Sequence, residues 1–112
     1  MVMKIREMIS KGEPTVSFEI FPPKSSYALE TVFDTLTELK DLHPDFISVT
    51  YGAGGTAQSN TVEIASRIKK DFGIESIAHL TGCTSTKEGM KRTLASIKDS
   101  GIENILALRG DI

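Results

Sequence analysis

The sequence predicts an α/β fold: the first half of a (β/α)8 TIM barrel, with four parallel strands, intervening helices and a short leading helix. Three observations carry that expectation. Four short segments rich in β-branched and apolar residues, Thr15–Phe21, Phe46–Tyr51, Ile74–Leu80 and Glu103–Leu108, begin 31, 28 and 29 residues apart. The stretches between them repeat apolar residues at helical spacing, and strands alternating with helices mark parallel pairing through right-handed crossovers. The third is length. A complete barrel needs about 250 residues, whereas 112 residues supply four strands and three full crossovers. The expectation is a single partial barrel domain over residues 1–112, truncated after strand four.

Each element has its own signal. A leading helix of about Met3 to Lys11 ends at Gly12. The first crossover carries Leu29, Val32, Phe33, Leu36 and Leu39, an apolar stripe at i, i+3, i+4, i+7 and i+10. The second carries Thr61, Ile64, Ala65, Ile68 and Phe72, with Gly73 placed to end it. Asn60, three residues before Glu63, resembles a capping box at its start. The third carries Met90, Leu94 and Ile97, opened by Ser85 with Glu88 three residues on and closed by Gly101.

Composition narrows the function classes. Thirteen Lys and Arg against 15 Asp and Glu give a formal charge of −2 with no basic cluster, which argues against nucleic acid as a partner. No apolar run approaches the roughly 18 residues that would span a membrane. Lys4, Arg6 and Glu7 interrupt the N-terminal stretch, so it lacks the apolar core of a signal peptide. The single cysteine, Cys83, excludes an internal disulfide and a multi-cysteine metal site. A reduced, cytoplasmic chain is expected. With no HExxH and no second histidine at ligand spacing, no metal site is expected either.

Strand phase locates the chemistry. Val16, Phe18 and Ile20 alternate with Ser17 and Glu19, and helices cover the outer face of a barrel, so Glu19 should point inward near the end of its strand. The same alternation sets Ile47, Val49 and Tyr51 outward and Thr50 inward. Barrel active sites are built at the C-terminal ends of the strands. Strands three and four are nearly continuous apolar runs, whose phase the pattern leaves open.

Several residues there could act. A carboxylate within an apolar-flanked strand is costly unless paired or protonated, and burial raises its pKa toward that of a general acid. Glu19 is therefore either such an acid or a strand-end residue that meets a lysine or solvent. His79 ends strand three and can hydrogen-bond a ligand or serve the core. The glycine-rich run Tyr51-Gly52-Ala53-Gly54-Gly55-Thr56 is a flexible turn or a place where backbone approaches a ring or phosphate. Leu108-Arg109-Gly110-Asp111 lies beyond strand four, where Asp111 could set a negative charge beside a developing cation or simply pair with Arg109. Cys83 has no histidine demonstrably placed to activate it as a nucleophile.

Together these residues resemble the methylenetetrahydrofolate reductase family, from about Ser17 onward. The resemblance rests on Ser17-Phe18-Glu19-Ile20-Phe21-Pro22-Pro23-Lys24, Ser48-Val49-Thr50-Tyr51-Gly52-Ala53-Gly54-Gly55, His79-Leu80-Thr81 and Leu108-Arg109-Gly110-Asp111, in that order and at strand ends. It implies FAD at the C-terminal ends of the strands, reduced by NADH or NADPH, with the hydride passed on to 5,10-methylenetetrahydrofolate to give 5-methyltetrahydrofolate. It implies catalytic roles for Glu19, as the acid assisting ring opening, and for Asp111, beside the flavin. It implies FAD contacts at Thr50, His79, Leu108, Arg109, Gly110 and Asp111. The chain departs from the family pattern where Gly82 precedes Cys83, and where Thr56-Ala57-Gln58-Ser59-Asn60-Thr61 keeps a threonine but lacks the family's arginine. Unpaired strand edges imply a homo-oligomer. The alternative is a truncated, non-catalytic flavin-binding or assembly module of the same lineage. An unrelated βα enzyme handling phosphate at residues 52–55 is a third possibility.

Overall fold

In a computed structural model of the chain, the described residues are 4–23, 29–51, 57–82 and 86–109, without the side chains of 57–59. Nine elements follow in order: α1 (Ile5–Ile9), β1 (Ser17–Ile20), α2 (Leu29–Leu39), a 3-10 turn (Lys40–Leu42), β2 (Phe46–Val49), α3 (Ala57–Phe72), β3 (Glu75–Thr81), α4 (Lys87–Asp99) and β4 (Ile105–Leu108). The four strands form one parallel sheet in the order β1-β2-β3-β4. This is the α/β half-barrel topology that the period near 30 predicts.

The core lies between one face of the sheet and the helices. Leu36, Ile47, Val49, Ile64, Ala65, Ile68 and Ala78 are completely buried there. Phe18, Ile20 and Tyr51 pack against this cluster, so the outward phase assigned to the first two strands is observed. Val16 departs from it. It precedes β1, is 54% exposed, and donates its N–H to Asp45 Oδ2 instead of joining the core. The phase of strand three, undecided in sequence, is settled by burial: Ser76, Ala78 and Leu80 face the helices, with Ser76 Oγ donating to the Ala65 carbonyl at 2.8 Å.

Helix termini show where local signals hold and fail. Gly101 takes φ +83°, its N–H meets the Lys98 carbonyl, and Ile102 N–H meets the Ile97 carbonyl, a complete left-handed cap for α4. Gly73 ends α3 at φ +67°. The capping box expected at Asn60 does not form, because α3 begins three residues earlier at Ala57; Asn60 instead donates its side-chain amide to the Pro23 carbonyl. The N-cap of α4 is Thr86, whose Oγ1 accepts from Gly89 N–H at 3.0 Å, and not Ser85, which lies outside the described residues. Thr93 and Ile97, one turn apart, face the core, whereas Leu94 is 40% exposed. The leading helix is shorter than expected, at five residues.

A polar knot closes the N-terminal end of the sheet. Ile5 N–H donates to Asn104 Oδ1, and Asn104 Nδ2 donates to Glu75 Oε1, linking α1 to β3 and β4. Lys69 Nζ is shut off from solvent and makes no hydrogen bond to a described residue. Its charge is met by Glu75 Oε1 at 3.1 Å and Glu103 Oε1 at 3.7 Å. Between α2 and α3, the Arg67 guanidinium sits 3.6 Å from the centre of the Phe33 ring.

Candidate active site on the open sheet face

The face of the sheet away from the helices carries the candidate chemistry. Strand pairing sets Glu19 beside Ser48 and Ser48 beside Ile77, while His79 stands one pleat further along β3 and pairs with Leu106. Ser48 Oγ lies 3.4 Å from Glu19 Oε1 and donates to it. His79 Nε2 lies 3.6 Å from the same oxygen, just beyond hydrogen-bond range. Two of the sequence-predicted residues, Glu19 and His79, are thus brought together.

Their environments differ. The His79 side chain is 9% exposed, whereas that of Glu19 is 51% exposed. The burial expected to act on Glu19 is not supplied by these four strands, because nothing among the described residues covers β1 on this face. Leu106 and Leu108 are likewise more than 40% exposed.

The remaining predicted residues are distributed along the same end of the sheet. Thr50 follows β2 and is half-buried; its N–H donates to the Ile20 carbonyl and its carbonyl accepts from Thr61 Oγ1 at 2.8 Å. Leu108 closes β4, and Arg109 follows it, exposed. Gly110 and Asp111 lie outside the described residues, as do Cys83 and the glycine run 52–56. Burial holds the neighbouring Tyr51 phenol above its ordinary value of 10.0.

Two residues without a predicted role contribute. Ser48 stands between Glu19 and His79, and the alternation that set Thr50 inward already assigned Ser48 to the same face. Gly82, the departure after His79-Leu80-Thr81, donates its N–H to the Leu108 and Arg109 carbonyls at 3.1 and 3.3 Å. It extends the β3–β4 pairing by one residue and anchors the start of the Leu108–Asp111 segment.

Hollows of about 470 Å³ lie elsewhere, one beside α1 and one near the 3-10 turn and the start of β3. The second is at the opposite end of the sheet from His79, the end that a barrel does not use for catalysis. Among the described residues no group of three metal-ligating side chains converges, and no helix is long and apolar enough to cross a membrane.

A family model described as methylenetetrahydrofolate reductase matches residues 4–112. The chain is 39% identical over 110 residues to methylenetetrahydrofolate reductase (NADH) 1 of Arabidopsis thaliana, covering 98% of this chain and 19% of that protein. It is 37% identical over 102 residues to the 5,10-methylenetetrahydrofolate reductase of Escherichia coli K12, covering 91% of this chain and 34% of the relative. Against the enzyme of that name from Buchnera aphidicola the identity is 43% over 95 residues, covering 85% and 32%. The chain spans about a third of these bacterial relatives and a fifth of the plant one. It belongs to the methylenetetrahydrofolate reductase family.

Proposed function

We propose that the chain carries the acid-bearing part of a flavin-dependent oxidoreductase that reduces 5,10-methylenetetrahydrofolate to 5-methyltetrahydrofolate with NADH or NADPH. The observation behind this reading is the meeting of Glu19, Ser48 and His79 on the open face at the strand ends. The plant relative's name specifies NADH. Reduction of the one-carbon unit requires opening a five-membered ring, and the departing nitrogen is a poor leaving group without a proton. Glu19 is the described carboxyl on this face able to hold that proton. Ser48 Oγ donates to its Oε1, and His79 Nε2 stands 3.6 Å from the same oxygen.

The residues present suit a flavin. A planar ring with polar edges needs apolar support beside donors and acceptors, and exposed Leu106 stands directly beside His79 in the sheet. Thr50, His79, Leu108, Arg109 and Gly110 would hold the cofactor, with Asp111 supplying negative charge near a cationic substrate carbon. FAD, when bound, supplies a two-electron carrier between the nicotinamide and the folate. The localisation proposed for this function is cytoplasmic.

A second reading is favoured by the half-exposed Glu19: a non-catalytic flavin-binding or assembly module of the same lineage. Titration of the purified chain with FAD separates these readings from a chain that binds no flavin. Quenched flavin fluorescence and a yellow complex support both, and turnover of methylenetetrahydrofolate supports the first alone. Absence of any flavin complex removes cofactor binding by this chain.

A further inference from the structure

We propose that Thr61 is a positioning residue for the site at the strand ends, with Asn60 beside it: α3 takes over the β1–β2 ladder at the point where Pro22 ends it. The proposal rests on the reading of those strand ends as a flavin and folate site. Ile20 pairs with Val49, and continuing that register by one residue sets Phe21 beside Thr50. Thr50 N–H donates to the Ile20 carbonyl at 2.9 Å, as a parallel ladder requires of that pair. The same ladder calls on the N–H of residue 22 to donate to the Thr50 carbonyl. Residue 22 is proline, which has no N–H to give. Thr61 Oγ1 supplies the missing donor, 2.8 Å from the Thr50 carbonyl oxygen. One residue earlier on the helix, Asn60 Nδ2 donates to the Pro23 carbonyl at 3.2 Å, so the chain leaving β1 is held from the same turn.

Burial decides what kind of role this is. Thr61 is 1% exposed and lies on the stripe of α3 that also buries Ile64, Ala65 and Ile68. It therefore reaches no ligand itself and acts on one only through the backbone of Thr50. Packing of that stripe against the sheet sets where the hydroxyl stands, and the hydroxyl in turn holds the peptide that joins Thr50 to Tyr51. A half-buried carbonyl deprived of its donor turns toward water, and the peptide turns with it. The Thr50 side chain, a proposed flavin contact, hangs from that peptide, and Ser48 and Glu19 pair one pleat back on the same two strands. The helix layer thus sets the geometry of the open face without entering it. A bare packing role would be served equally by valine, which has the shape of threonine and no donor.

Amide hydrogen exchange and FAD titration of the 112-residue chain test this. Thr61→Val is expected to speed exchange of the Thr50 amide by about tenfold and to weaken FAD binding by a similar factor, the usual effect of leaving a carbonyl without its hydrogen bond. The amides within β2 should keep the parent's rates. Thr61→Ser retains the donor and should match the parent in both measurements. Pro22→Ala, added to Thr61→Val, gives residue 22 an N–H and should restore protection at Thr50, because the ladder then closes on itself. Parent-like exchange at Thr50 in Thr61→Val overturns the proposal, and so does equal acceleration throughout β2, which marks a general loss of packing. Undiminished FAD affinity in that variant overturns it as well, and a failure of Pro22→Ala to restore protection overturns the exchange of a backbone donor for a hydroxyl. A parent chain that forms no flavin complex removes the functional reading instead, while the exchange rates still decide the role of Thr61. Should Thr61→Val fail to fold, the double variant decides: folding regained supports the proposal, and folding not regained overturns it.

Discussion

Glu19 and His79 meet across an intervening strand. They sit on β1 and β3, whose backbones are separated by β2 and hence by about 9.5 Å at ordinary strand spacing, yet His79 Nε2 is 3.6 Å from Glu19 Oε1. Two side chains can span that gap only over a small residue, and Ser48 is the one between them.

A branched side chain at this position should therefore part the pair. In Ser48→Val the Glu19-to-His79 nuclear Overhauser contacts are expected to vanish, while Ser48→Ala keeps them. Because residue 48 faces away from the core, both variants should stay within about 1 kcal/mol of the parent in chemical denaturation. Persistence of the contacts in the valine variant would show that Ser48 is not the gap through which they meet.

The acid assignment separates two half-reactions. In a chain joined to the remainder of the barrel, Glu19→Gln should cut folate reduction by about 10²- to 10⁴-fold, the usual contribution of a positioned acid. Flavin reduction by the nicotinamide needs no proton from position 19 and should largely survive. Stopped-flow absorbance follows the two steps separately, and equal loss of both removes Glu19 from the role of acid.

Much of this arrangement is written in local pattern. The alternation in Ser17–Ile20 and Phe46–Val49 placed Phe18, Ile20, Ile47 and Val49 against the helices, because a two-residue period leaves only two choices of face. That phase also set Glu19 on the open side. It could not set the environment of Glu19, since burial depends on what covers the inner face, and these four strands leave its side chain 51% exposed. The meeting with His79 was beyond pattern too: strand three is apolar on both faces, so its phase came only from packing. The Ser85 and Asn60 caps failed for a related reason. Several polar residues near each helix start could serve, and tertiary contacts such as Asn60 to the Pro23 carbonyl chose among them.

Alkaline stability provides a test at the same end of the sheet. Burial holds the Tyr51 phenol above its ordinary 10.0, so just above that pH the unfolded chain has released a proton that the folded chain keeps. The unfolded state then binds fewer protons, and stability must fall as pH rises. Tyr51 costs nothing below pH 10, and its penalty grows until the folded-state phenol itself ionises. The stability of the parent minus that of Tyr51→Phe should thus be flat below pH 10 and decrease above it. An increase above pH 10 would contradict the direction of the shift.

The knot at the other end of the sheet governs how well the strands are held. Lys69 Nζ is enclosed, with its charge met at 3.1 Å by Glu75, a carboxylate whose side chain is only 8% exposed. Removing one partner of such a pair leaves the other charge stranded, which costs more than the pair itself contributes. Lys69→Met should destabilise the fold by about 3 kcal/mol. Adding Glu75→Gln removes the stranded charge while keeping an oxygen for the Asn104 amide, so the double variant should regain much of the loss. Urea denaturation of the two single variants and the double variant measures this coupling. Strict additivity would mean that Lys69 acts through packing of its aliphatic stem, and that the carboxylates at 75 and 103 are held by other groups.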